Sequence, residues 1–189
     1  MDSDDLLKLF KEHNALLEGH FLLSSGLHSP NYLQCALLLQ HPKLAEKLGK
    51  AIGDKVKDLK VECVATPAVG GIVIGQEIAR SLNVRAVFTE RVDGKMTLRR
   101  GFEIHPNERV LVADGIITTG GAPIEVMQVV HANKGESVGI GVLVDRSSDS
   151  FKPNIPVIAL MKIKIETYTP DNCPLCIQKI PVVKPGSRK

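Results

Sequence analysis

The sequence predicts an α/β protein with a central, mostly parallel sheet flanked by helices. From residue 61 onward, short apolar runs alternate with helical stretches, which is the signature of consecutive βαβ units. No repeat or low-complexity segment interrupts them. The length of 189 residues suits one domain with a proper core and at most a small appendage. At 43% hydrophobic the chain is too apolar for disorder, yet no apolar run reaches the ~20 residues of a membrane-spanning helix. A net charge of +3 and 4% aromatic residues without Trp supply neither an electrostatic footprint nor a stacking platform for nucleic acid. The acidic start Met1-Asp2-Ser3-Asp4-Asp5 argues against a signal peptide, and four cysteines are too few for a disulfide scaffold. The expectation is a cytoplasmic protein without nucleic-acid or membrane partners.

The elements follow in order. Ser3 is a candidate cap for a first helix with Leu6, Leu9, Phe10 and Leu17 near one face and Gly19 as its stop. The turn-rich stretch from Phe21 to Tyr32 reads as short strands and loops. Pro42 opens a helix carrying Leu44, Leu48, Ile52 and Val56 at helical spacing. Strands are then expected at Val61–Ala65, Arg85–Thr89, Arg109–Ala113, Ser137–Val144 and Pro156–Ile165, with helices over Gly71–Leu82 and Ala122–Asn133. The interval from Arg91 to Ile104 breaks this rhythm with Asp93, Gly94, Lys95, Arg99, Arg100 and Gly101. A functional basic loop and a solvated β-hairpin both fit that composition.

The chemistry concentrates in Val110-Leu111-Val112-Ala113-Asp114-Gly115-Ile116-Ile117-Thr118-Thr119-Gly120-Gly121. An apolar strand ends in a carboxylate, and a hydroxyl and glycine turn then leads into a helix. Ligands of open α/β sheets sit outside the carboxyl ends of the strands. Backbone N–H groups, two hydroxyls and a helix N-terminus can there face an anion such as a phosphate monoester. Neither Gly-Lys-Ser/Thr nor G-x-G-x-x-G follows a strand, which removes the Walker and dinucleotide motifs.

This string resembles the phosphoribosyl pyrophosphate (PRPP) fingerprint of the type I phosphoribosyltransferases, and the resemblance covers most of the chain. It narrows to the orotate-using members through Gly19-His20-Phe21-Leu22-Leu23-Ser24-Ser25-Gly26 with Ser29 and Tyr32, and through Val144-Asp145-Arg146. Thr66-Pro67-Ala68-Val69-Gly70-Gly71 is similar to the family's pyrophosphate loop, and Thr89-Glu90-Arg91 through Gly101 to its mobile catalytic loop. Cys173-Pro174-Leu175-Cys176 and Lys184-Pro185-Gly186-Ser187-Arg188 resemble a bacterial and archaeal subgroup. The chain departs from the pattern at Gly115, where the family's second acidic residue stands, and at Ser24 and Gly70, where many members carry Lys.

The resemblance implies a hood or base-binding segment over residues 1–40, a core over 41–168 and a tail over 169–189. It implies transfer of the 5-phosphoribosyl group from PRPP to orotate, with Mg2+ held mainly through PRPP rather than directly by the protein. PRPP would be bound by Asp114, Ile117, Thr118, Thr119, Gly120, Gly121, Ala122, Val69, Gly70, Arg91 and Lys95. Orotate would be bound by Ser25, Gly26, Thr118 and Arg146. Lys95, Arg91 and Asp114 are the candidate catalytic residues, with Arg99 and Arg100 as further cations. A homodimer is implied, loop 91–101 reaching the neighbouring site. Another base as acceptor, or a non-catalytic PRPP-binding regulator, are the alternatives. Solvated charges for Arg99 and Arg100, a salt-bridged strand end for Asp145-Arg146, a structural Glu90–Arg91 pair and role-free loop histidines at His28 and His105 are the bland readings.

Cys173 and Cys176 have the spacing of half a zinc site. With no second C-x-x-C and no nearby histidine in sequence, two such knuckles meeting across a dimer axis would complete it. Buried thiols or a disulfide are the rivals.

Overall fold

The computed structural model describes residues 1–23, 25–148 and 151–185. Ser24 and the Gly186-Ser187-Arg188 part of the tail motif lie outside the described residues.

A six-stranded sheet forms the centre, built from β3 (Cys63–Pro67), β4 (Arg85–Val92), β5 (Lys95–Leu98), β6 (Arg109–Ile117), β7 (Glu136–Asp145) and β8 (Val157–Lys162). Its order is β5-β4-β3-β6-β7-β8, and every neighbouring pair is parallel except β4 with β5. The helices α3 (Pro42–Val56), α4 (Ile72–Leu82) and α5 (Gly121–Ala132) fall in the expected places.

Period-2 alternation gives the sheet two apolar faces. Val64, Leu111, Ala113 and Leu143 pack with Leu48, Ile52, Ile74 and Ile78 of α3 and α4. Their neighbours Cys63, Ala65, Val110, Val112 and Val142 pack with Val126 and Val130 of α5 on the other face. Helices α3 and α4 approach closely because Gly49 and Gly53 face Glu77 and Ser81. A Cβ at either glycine would lie 2.5 Å or less from a side-chain atom.

The first helix, α1 (Ser3–Glu12), is capped by Asp2 in place of the expected Ser3. Asp2 accepts the Asp5 N–H at 2.8 Å and Asp5 reciprocates, a capping box that Ser3, one residue inside the helix, cannot form. The helix stops at Glu12, followed by Asn14 at φ 51°, so Leu17 and Gly19 belong to the next strand instead. That strand, β1 (Leu16–Leu22), and β2 (His28–Leu33) form an antiparallel hairpin. A short helix, α2 (Cys35–Leu39), then packs Leu38 and Leu39 into the core; five residues are too few to leave a readable period.

The interval after Arg91 is a β-hairpin. Asp93 and Gly94 form its two-residue turn at φ 50° and 80°, both in the left-handed region that a type I′ turn requires. Among the described residues no helix is long and apolar enough to cross a membrane.

Candidate active site

The strand order reverses between β3 and β6: α4 carries the chain outward to β4, and α5 carries it the opposite way to β7. At such a point the two strand-end loops diverge and leave a crevice between them. Here the loops are 67–71 after β3 and 118–120 after β6. They bound a cavity of about 620 Å3.

Strand β6 runs through Ile117, four residues past the expected end at Ala113. Asp114 is therefore fixed within a paired strand, opposite Val142 of β7. Its Oδ1 accepts the Gly115 N–H at 2.7 Å. Thr118 and Thr119 are exposed in the turn, and Gly120 caps α5 at φ 79°. A side chain there would meet both an unfavourable φ and the Phe151 ring, whose nearest carbons lie 2.1 Å from the Cβ position. The open helix N-terminus thus faces the cavity with no side-chain cap, as an anion site requires. Across the crevice, the Ala68–Val69 peptide is cis, and Val69 and Gly70 are exposed to the cavity.

Arg146 follows β7, held by its N–H to the Ile117 carbonyl at 2.8 Å. Asp145 forms no ion pair with it, which removes the bland reading of Asp145-Arg146 as a salt-bridged strand end. The Asp145 carboxylate instead accepts the Ser147 N–H and Oγ at 2.8 and 2.6 Å and lies 3.9 Å from Lys162 Nζ. The Arg146 Nε is buried and has no hydrogen-bond partner among the described residues. Burial pulls its guanidinium below the usual pKa, partly offset by the nearby Tyr32. A half-buried guanidinium with an unused Nε–H donor is suited to receive a carboxylate.

Eleven of the fourteen anticipated substrate-binding residues line this one cavity: Asp114, Ile117, Thr118, Thr119, Gly120, Gly121, Ala122, Val69, Gly70, Ser25 and Arg146. Gly26, Arg91 and Lys95 do not. Gly26 turns the β1–β2 hairpin, its N–H donated to the Leu23 carbonyl at 3.0 Å. Arg91 pairs with Glu125 of α5 at 2.5 Å and donates to the Gly94 carbonyl at 2.7 Å. Glu90 takes Arg100 rather than Arg91, with both contacts at 2.8 Å, and Arg100 also lies over the Phe88 ring. Lys95 is exposed at the start of β5. Arg100 is thus tied up in structural contacts, while Lys95 is exposed and does not line the cavity.

The cavity also takes residues that sequence reasoning had not assigned to it: Gln34 and Gln40 flanking α2, and Lys184 with Pro185 from the tail. In the sequence, Lys184 belongs only to a terminal motif. No local pattern says that residue 184 folds back onto residue 22; the link is the pairing of Val183 with Phe21.

Parallel strands, an uncapped helix N-terminus at the switch point and a half-buried arginine on the same cavity define a class: α/β proteins with a site suited to anionic, phosphorylated ligands. Residues 36–171 match the model of the phosphoribosyl transferase domain, and the chain belongs to that family. A protein from Desulforamulus reducens named orotate phosphoribosyltransferase is 49% identical over 189 residues, covering 100% of this chain and 99% of that one. One of the same name from Carboxydothermus hydrogenoformans is 51% identical over 187 residues, with 98% of each chain covered. The crystal structure of orotate phosphoribosyltransferase from Aeropyrum pernix superposes with a TM-score of 0.70 at 23% identity, covering 84% of this chain and 93% of that one; at that identity it speaks for the fold alone.

Proposed function

We propose that the protein is an orotate phosphoribosyltransferase, a pentosyltransferase of pyrimidine biosynthesis that converts PRPP and orotate to orotidine 5′-monophosphate and pyrophosphate. The observation that carries this reading is one cavity with the 118–121 anion turn on one wall and the unpartnered Arg146 Nε on another. The turn suits the 5-phosphate, loop 67–71 the pyrophosphate, and Arg146 the orotate carboxylate, which a purine lacks. Full-length relatives bearing that name support it.

In the displacement, the C1–pyrophosphate oxygen bond breaks ahead of the new bond to orotate N1. Positive charge grows on the ribose and negative charge on the leaving group, so positioning and electrostatic stabilisation are the protein's main tasks. Asp114, rigid within β6 and on the cavity wall, is suited to hold ribose hydroxyls. Its carboxylate and the nearby Thr118 and Thr119 hydroxyls also suit Mg2+ carried mainly by PRPP and water, and Mg2+ when bound neutralises developing pyrophosphate charge. We assign Lys95 to the neighbouring subunit's site in a cytoplasmic homodimer, because it is exposed and does not line its own cavity.

The test is pyrophosphate release from PRPP and Mg2+ with orotate, uracil, adenine or hypoxanthine as acceptor. Turnover with orotate alone is expected. Turnover with a purine but not orotate overturns the base assignment. PRPP binding without turnover of any base makes the chain a regulator on the same fold.

A further inference from the structure

Outside the cavity, the described residues contain one group suited to a metal: His20, His28, Cys173 and Cys176, whose donor atoms all lie within 4.8 Å of one another. We propose that these four side chains form a structural zinc site that fastens the β1–β2 hairpin to the C-terminal tail. The two further ligands that the sequence did not place beside Cys173 and Cys176 come from the same chain, about 150 residues away. A partner's knuckle is therefore not required.

The donor chemistry and distances agree with tetrahedral zinc. Zn–S bonds near 2.3 Å and Zn–N bonds near 2.05 Å set N–S edges of about 3.6 Å and an N–N edge of about 3.4 Å. Cys173 Sγ lies 3.6 Å from His20 Nε2, and Cys176 Sγ lies 3.8 Å from His20 Nε2 and 3.3 Å from His28 Nδ1. The two ring nitrogens stand 2.7 Å apart and need only spread by a fraction of an ångström. His20 Nδ1 is 2.7 Å from the Ile180 carbonyl, which can only accept. That bond puts the proton on Nδ1 and leaves the Nε2 lone pair facing the cluster, the usual support for a metal-bound histidine. Cys173 caps the short helix α6 (Pro174–Ile177), so the Pro174-Leu175 turn brings Cys176 back beside it. His20, His28 and Cys173 are buried, while Cys176 sits at the surface where an ion can reach the group. Two cysteines and two histidines in a closed set select zinc over magnesium or calcium, which prefer oxygen ligands.

The fold shows what such a staple would hold. The tail embraces the hairpin on both edges: Val183 bonds the backbone of His20 and Leu22, and Tyr168 exchanges two bonds with His28. Yet its apolar side chains contribute little burial, with Ile177, Ile180, Val182 and Val183 between 39 and 77% exposed. Among the described residues beyond position 165, Cys173 alone belongs to the buried hydrophobic set. A segment with so small a core is where proteins use a metal in place of packing. The next residues, Lys184 and Pro185, line the cavity, so the staple would also hold that wall.

The experiment is elemental analysis of the full-length protein, purified with a reductant, incubated with zinc and desalted. About one zinc per chain is expected, with cobalt replacing it to give the visible bands of a tetrahedral thiolate site. His28→Ala and Cys176→Ser are expected to lose the metal, and His28→Cys, which restores a fourth ligand, to keep it. Chelation should lower the thermal midpoint of the parent chain and leave that of Cys176→Ser unchanged. If His28→Ala fails to fold, Cys176→Ser at the exposed edge gives the same reading. Parent protein that binds no zinc or cobalt, or folded variants that bind as much as the parent, overturns the proposal.

Discussion

Cys35 occupies the space that a side chain at position 115 would need. A Cβ on Gly115 would lie 3.2 Å from the Cys35 Cβ and 3.3 Å from its Sγ, with the Gly70 carbonyl at 3.8 Å. Cys35 opens α2 and is buried, and desolvation together with the Asp114 charge pushes its thiol up to about 12. Where the fingerprint has a second carboxylate, the space beside Gly115 is thus filled by a neutral thiol rather than left open.

Gly115→Asp is accordingly expected to harm rather than restore. The overpacking alone costs about 1–3 kcal/mol, equivalent to a fall of about 3–10 °C in the thermal midpoint for a chain of this size. Cys35→Gly in the same chain opens the space, and the pair should be less destabilising than the sum of the single changes. Thermal unfolding of the four variants measures the coupling; strict additivity would show that the contact does not matter. Cys35, held as a thiol, should also resist iodoacetamide in the folded protein at pH 8.

Arg146 offers a second, independent measurement. Its buried Nε has no partner among the described residues, so a carboxylate there gains charge-assisted hydrogen bonds worth about 1.5–3 kcal/mol each. Arg146→Gln should raise the KM for orotate by about 10- to 100-fold with little effect on the KM for PRPP. Arg146→Lys keeps the charge but loses the fork and should recover only a minor part. Equal changes in both Michaelis constants would argue for a general structural defect.

Away from the cavity, Glu108 links pH to stability. Burial alone would raise its pKa, but Arg85 at 2.9 and 2.5 Å and the His105 N–H at 2.9 Å hold the carboxyl below its ordinary value. A carboxyl depressed in the folded state stabilises it above the unfolded pKa, and loses that contribution as the pH falls through the folded one. The parent should therefore lose stability below about pH 4.5, and Glu108→Gln should be less stable at pH 7 with a flatter acid limb. Urea unfolding between pH 7 and pH 3 measures this; parallel curves would remove Glu108 from the acid response.

The sheet was legible because its signals are local and repeated. Val110 to Ala113 is apolar throughout, and α3 announces itself through Pro42 and a 3.6-residue stripe. The turn at Thr118–Gly121 was legible for the same reason. What escaped depends on long-range contacts. Asp2 outcompetes Ser3 as a cap only because Asp5 reciprocates, Lys184 reaches the cavity only through the Val183–Phe21 pairing, and His20 meets Cys173 only across the hairpin and tail. The basic interval was ambiguous because two-residue turns suit hairpins and mobile loops alike. The pairing of Arg100 with Glu90 distinguishes a structural cation from Lys95, whose identical formal charge says nothing of its target.

Lys95 supplies the test of assembly. It stands outside the cavity of its own chain, on a hairpin anchored by the Arg91–Glu125 and Arg100–Glu90 pairs, and the homodimer reading sends it into the partner's site. Lys95→Ala should then lower kcat strongly with little change in either KM, and Asp114→Asn should inactivate the cavity while leaving the hairpin intact. A one-to-one mixture of these variants, unfolded and refolded together, forms heterodimers in which one site has both an intact cavity and an intact Lys95. About half the dimers would be mixed, so activity should return to about one quarter of the parent value. If Lys95 served its own chain's cavity, every site in the mixture would be damaged and no activity would return.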